Sequence, residues 1–84
     1  MKLEIDPHAL EDLTYWLQKD IKKLNKIFKL LEVILKTPFE GIGKPEPLKY
    51  GLSKCCSRRI DREHRIVYKV ENKTVIILQC RYHY

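Results

Sequence analysis

Apolar residues recur at steps of three and four up to Leu35, and from Ser53 onward the period becomes two. One kind of element cannot hold both periods. The first suits a helix of 3.6 residues per turn, and the second suits a pleated strand whose side chains alternate between faces. Between them, Phe39 to Leu52 contains all three glycines together with Pro45 and Pro47, and reads as a long irregular stretch. Helix signals followed by strand signals imply an α+β domain, a helical hairpin packed on a mostly antiparallel sheet. At 84 residues the chain is one domain, 1–84, with no room for a second.

The punctuation is explicit. Lys2 to Ile5 is a short run suited to an edge strand. Asp6 followed by Pro7 reads as an N-cap with proline at the first helical position. Leu10, Leu13 and Leu17 mark the expected apolar stripe of that helix. Asp20 is a second N-cap, after which Ile21, Leu24, Phe28, Leu31 and Leu35 mark one face of a helix of about four turns. Lys22, Lys23, Lys26 and Lys29 occupy its other face. Pro38 disfavours helical geometry just before itself, so the helix should stop at Lys36-Thr37. Further on, Ser57 to Ile60 and His64 to Val70 form a hairpin around the Asp61 to Glu63 turn. Glu71 to Lys73 makes a second turn. Thr74 to Tyr82, apolar at its centre, is expected in the middle of the sheet.

Charge is divided unevenly. Residues 1–40 hold seven lysines against seven acids, whereas residues 41–84 hold ten Lys and Arg against four acids, the whole net charge of +6. All five arginines (Arg58, Arg59, Arg62, Arg65 and Arg81) lie in the second half, among tyrosines and histidines. Such a half points to an anionic partner, with nucleic acid favoured over a merely soluble basic surface. No run approaches the roughly 20 apolar residues of a membrane span. The charged N-terminus is not a signal peptide. Cys55, Cys56 and Cys80 are odd in number, and bridging the adjacent pair would be strained, so free thiols in a reducing cytoplasm are expected and a zinc site is not. Gly41 to Lys44 lacks the spacing of a phosphate loop, and no helix shows a DNA-recognition pattern.

Two residues suit proton transfer. Histidine has an unperturbed pKa close to neutrality, and His83 lies near the chain end, behind the apolar run Val75 to Leu78 that should anchor it. Glu46 is flanked by Pro45 and Pro47, which restrict its backbone and preorganise the carboxylate. Taken alone, each also reads as an ordinary solvated side chain. Pairing the strands around the Asp61 turn sets Arg59 opposite Arg65 on one face. Like charges there destabilise a sheet unless an anion sits between them, and guanidinium matches phosphate oxygens bidentately. The same alternation puts Tyr82 on the side of Tyr84, and His64 opposite Arg65 as a structural residue. His8 reads as a surface residue.

Four blocks then stand in order: Lys36-Thr-Pro-Phe-Glu-Gly-Ile-Gly-Lys-Pro-Glu-Pro-Leu-Lys49, Ser57-Arg-Arg-Ile60, Glu63-His-Arg-Ile-Val-Tyr68 and Cys80-Arg-Tyr-His-Tyr84. Together they resemble the YoeB toxin family over nearly the whole length. The resemblance implies a RelE-like fold and a ribosome-dependent endoribonuclease that cleaves mRNA in the decoding site. It implies the 70S ribosome with its 16S rRNA and the mRNA as partners, a YefM-type antitoxin, a possible homodimer, and no cofactor or metal. It also implies catalytic roles for Glu46, Arg65, His83 and Tyr84, with Lys49, Arg59 and Arg65 on RNA phosphate. Which of Glu46 and His83 is base and which is acid stays open. One departure is Cys55-Cys56, where the family usually has an aromatic just before Ser-Arg-Arg. The competing readings are an RNA- or ribosome-binding module that does not cut, and an inactive family member retained for antitoxin binding.

Overall fold

A computed structural model describes residues 1–39, the backbone of 46–47, and residues 55–82. Its elements are β1 (Lys2–Ile5), α1 (Pro7–Lys19), α2 (Ile21–Lys36), β2 (Glu46–Pro47), β3 (Cys55–Arg59), β4 (Arg65–Glu71) and β5 (Thr74–Gln79). The strands form one sheet in the order β1-β5-β4-β3-β2. β1 runs parallel to β5 and every other pairing is antiparallel. This is the expected α+β arrangement, with β1 at an edge and β5 inside. Among the described residues no helix is long and apolar enough to cross a membrane.

Both helix starts follow from side-chain capping. The Asp6 carboxylate accepts the His8 N–H and the Asp20 carboxylate accepts the Lys23 N–H, each satisfying a donor that the first turn leaves unpaired. α2 ends at Lys36, where the Thr37 N–H donates to the Val33 carbonyl and Pro38 bars continuation. In the β4–β5 turn, Asn72 and Lys73 both take positive φ, 49° and 58°, the geometry that matches the twist of a two-residue hairpin.

The helix faces differ from the stripes expected from the leucines. Leu10 and Leu17 are 56% and 59% exposed, and α1 instead buries Ala9, Asp12, Leu13 and Trp16. Ile21 and Phe28 are likewise exposed and Leu35 is half-buried; α2 packs through Leu24, Ile27, Leu30, Leu31 and Ile34. The apolar arc of each helix is wider than the sheet can cover, and periodicity alone does not choose which part of a wide arc is covered.

Two strand boundaries also change. Glu46–Pro47, inside the stretch read as irregular, is a two-residue edge strand paired with Cys56 and Ser57. An edge is where proline's missing donor is tolerated; the rest of that loop from residue 40 lies outside the described residues. β5 stops at Gln79 rather than Tyr82. A bulge at Leu78 precedes its end, because Tyr68 pairs with Ile77 while Val67 pairs with Gln79. Tyr82 takes φ 62°, so strand alternation does not reach it and the expected sharing of a side with Tyr84 has no basis in the strand.

The core joins the buried helix residues to Cys56, Ile60, Ile66, Tyr68, Val75, Ile77 and Cys80. Arg58 is in it, fully buried. Its Nε–H donates to the Tyr68 hydroxyl at 3.4 Å and Nη2 donates to the Thr37 carbonyl, while the Tyr68 hydroxyl donates to the Pro38 carbonyl. One of the five arginines is therefore a clasp between the end of α2 and the sheet, not a surface cation. All three cysteines are free and buried. Burial, with the Asp12 carboxylate nearby, pushes the Cys80 thiol up to about 12, which keeps it protonated and inert.

Candidate active site

The site starts from strand alternation. On β4, Ile66 and Tyr68 face the helical core, so Arg65, Val67 and Lys69 face the other way; on β3, Cys56 and Arg58 face the core and Cys55, Ser57 and Arg59 do not. Arg59 and Arg65 are register partners, as the alternation implied. Arg59 is exposed and Arg65 half-buried. Ser57 aims Arg65: the guanidinium Nε–H donates to Ser57 Oγ at 2.8 Å and Nη2 to the Ser57 carbonyl at 3.5 Å. Two arginines thus stand opposite each other on adjacent strands, one of them with its guanidinium orientation fixed.

The neighbouring row across the sheet reads Glu46, Ser57, Val67, Gln79. Glu46 therefore enters the site by register, one strand away from the serine that orients Arg65. The chain returns to the same end of the sheet after β5, where the Arg65 N–H donates to the Tyr82 carbonyl at 2.8 Å. His83 and Tyr84 follow directly in sequence. Topology thus gathers Glu46, Arg59, Arg65 and the segment leading to His83 at one sheet end. Lys49, His83 and Tyr84 themselves lie outside the described residues, as does the side chain of Glu46.

Residues 80–82 are held from three sides. Asp12 Oδ2 accepts the Cys80 N–H at 2.9 Å, and the Trp16 indole N–H donates to the Cys80 carbonyl at 2.9 Å. His64 Nδ1 accepts the Tyr82 N–H at 2.8 Å. The His64 ring stands edge-on to Trp16 and tilted against Tyr82. Arg81 lies over the ring of Tyr15 at 3.5 Å and that of Tyr82 at 4.6 Å, so it is engaged in cation–π packing. The structural role expected for His64 holds. The pairing of Asp12 and Trp16 with Cys80 left no signal in the sequence, because it spans more than sixty positions.

The β3–β4 turn that sets the Arg59–Arg65 pairing is itself pinned. Asp61 accepts the N–H groups of Glu63 and His64, each at 2.8 Å, and pairs with Lys23 of α2. Burial works to raise the Asp61 carboxyl, but the Lys23 ammonium and the two N–H groups outweigh it and bring the pKa down to about 2. The departure at Cys55-Cys56 puts two buried thiols in β3. Burial raises the Cys56 thiol, with Cys55 adding to the effect.

A family model described as "YoeB-like toxin of bacterial type II toxin-antitoxin system" matches residues 5–84. The chain belongs to the YoeB toxin family. It is 48% identical to Toxin YoeB of Escherichia coli strain K12 over 84 residues, all of both chains. Among solved structures it is similar to the YoeB dimer from Staphylococcus aureus, at 45% identity and a TM-score of 0.92, covering 100% of this chain and 98% of that one. It is also similar to YoeB in a heterotetrameric YoeB–YefM toxin–antitoxin complex from the same organism, at 45% identity and a TM-score of 0.89, with the same coverage. The RelE-like fold expected from the motif blocks is therefore the fold of this YoeB-family toxin.

Proposed function

We propose that this YoeB-family chain is a ribosome-dependent endoribonuclease that cuts mRNA in the A site and so stops translation. The observation that carries this reading is the Arg59–Arg65 register pair, with Arg65 aimed by Ser57 in the row that begins at Glu46. Two like charges held together at a sheet end form a receptor for an anion that gains charge during reaction. In the proposed step a base takes the 2′-hydroxyl proton. The 2′-oxygen bonds to phosphorus, the P–O5′ bond breaks, and an acid protonates the departing 5′-oxygen. The products are a 2′,3′-cyclic phosphate and a 5′-hydroxyl. Glu46 and His83 fill the base and acid roles, in either assignment. Arg65 and Arg59 stabilise the dianionic phosphorane, Lys49 adds positive charge, and Tyr84 stacks on a base or hydrogen-bonds near the phosphate. These side chains supply every group the step requires, without a cofactor or metal ion.

The small surface has few groups with which to stretch RNA toward in-line geometry, and the ribosome supplies that geometry. The antitoxin is of the YefM type, with an acidic disordered segment that folds over the basic face; the S. aureus YoeB–YefM complex supports that pairing, and the S. aureus YoeB dimer supports self-association.

The test is a defined mRNA on purified 70S ribosomes beside the same RNA alone. The expected result is cleavage in the A-site codon with cyclic-phosphate ends, and free RNA cut at least about tenfold more slowly. Intact mRNA on ribosomes that the protein nevertheless binds would establish the non-cutting binding module instead. Ends carrying a linear 5′-phosphate would refute attack by the 2′-hydroxyl.

Arg59→Gln separates the two consequences of the arginine pair. Relief of the like-charge contact should raise the melting temperature slightly. Loss of one phosphate contact should flatten the log–log dependence of ribosome affinity on salt by about one unit. Thermal unfolding and binding titrations from low to moderate salt read both; affinity that ignores salt would contradict the electrostatic part of the reading.

A further inference from the structure

Tyr82 sits one residue before His83 with a backbone φ of 62°, a left-handed conformation that a residue with a Cβ adopts only under constraint. Two bonds impose it. The Arg65 N–H donates to its carbonyl, and its own N–H donates to His64 Nδ1 at 2.8 Å. A backbone N–H can only donate, so Nδ1 is the acceptor in this bond. His64 is in turn fixed: it is 9% exposed, its backbone N–H donates to Asp61, its carbonyl accepts from Ile60 and Asp61, and its ring rests edge-on against Trp16. Trp16 is tied to the same segment through the Cys80 carbonyl.

We propose that His64 is the positioning residue for His83: its imidazole acceptor holds Tyr82 in the turned conformation that sets the course of the chain into the catalytic end. This rests on the cleavage reading above for its effect on rate, and on the backbone geometry alone for its effect on the chain end. His64 is itself buried. It acts through one main-chain bond, so an acceptor at the Nδ1 position should be sufficient.

The experiment compares wild type, His64→Leu and His64→Asn, the asparagine carbonyl standing where Nδ1 stood. Readouts are kcat and KM on programmed 70S ribosomes, melting temperature, and the backbone ¹⁵N order parameters of residues 82–84. In His64→Leu, kcat should fall roughly tenfold to a hundredfold, the scale of a displaced catalytic group, with KM within about twofold because uniform binding is untouched. The terminal order parameters should drop toward about 0.6 or below. His64→Asn should recover kcat to within about threefold of wild type, even where its melting temperature matches that of the leucine variant. Unchanged kcat in His64→Leu would overturn the proposal, as would equal losses in both variants that track melting temperature. Should His64→Leu not fold, His64→Gln serves instead, since its amide reaches toward the Nε2 position and leaves Nδ1 unreplaced. If wild type does not cut RNA, the cleavage reading fails by itself. The order parameters then decide the tether, supporting it if they fall in the variant and refuting it if they do not.

Discussion

With His83 replaced by glutamine, cleavage of ribosome-bound mRNA is expected to fall at least about a hundredfold while ribosome binding persists. Glutamine keeps the reach and polarity of the side chain but cannot hand over a proton, and a positioned general acid or base contributes roughly a hundred- to ten-thousandfold. Glu46→Gln should produce a loss of similar size. The pH dependence of wild-type cleavage should be bell-shaped, with apparent values that belong to the Glu46–His83 pair rather than to either residue. Retained binding is part of the prediction, because the arginine pair and the basic half remain intact. Single-turnover cleavage beside a co-sedimentation assay checks it. Cutting by the His83 variant at the wild-type rate would remove the histidine from the chemistry.

Arg58→Ala is expected to destabilise the fold by about 3 kcal/mol or more, a large fraction of the stability of a small domain. The guanidinium is fully buried and satisfies the Thr37 carbonyl at the end of α2 and the Tyr68 hydroxyl in β4. Truncation leaves a large cavity and at least one buried acceptor unpaired. Arg65→Ala, on the same hairpin, should shift the urea midpoint far less, since Arg65 is only half-buried and lies on the face of the sheet away from the helical core, where truncation opens no cavity among the core side chains. Urea unfolding of the two variants side by side distinguishes an arginine that holds the fold together from one that does not. An Arg58→Ala midpoint close to wild type would mean that the clasp contributes little.

Those two arginines also show how far the sequence could be read. The ends of both helices were legible because Asp6, Asp20 and Pro38 act within a turn of their own positions. The Arg59–Arg65 pairing was legible because a short turn fixes the register of a hairpin. Composition made Arg58 one cation among five, because the carbonyl at the end of α2 that accepts from it lies 21 positions away. The leucines of α1 misled for a related reason: the sheet selects Ala9, Leu13 and Trp16 from an arc that Leu10 and Leu17 merely widen. Leu78 inserts an extra residue that resets the alternation of β5, so the course of residues 80–82 was not readable from period two. Glu46 was singled out from its flanking prolines, but its strand partner was not, since two residues carry no period.

The chain has one tryptophan, and its indole is bonded to the segment that leads into the last residues. Its emission is therefore a built-in optical gauge. Detaching that segment breaks the indole hydrogen bond and frees the imidazole that packs against the ring from its own bond to the segment, so both wavelength and intensity should respond. Antitoxin capture or ribosome docking could then be followed in real time on the unlabelled protein, with the signal arising a few residues from where the chemistry is proposed to occur.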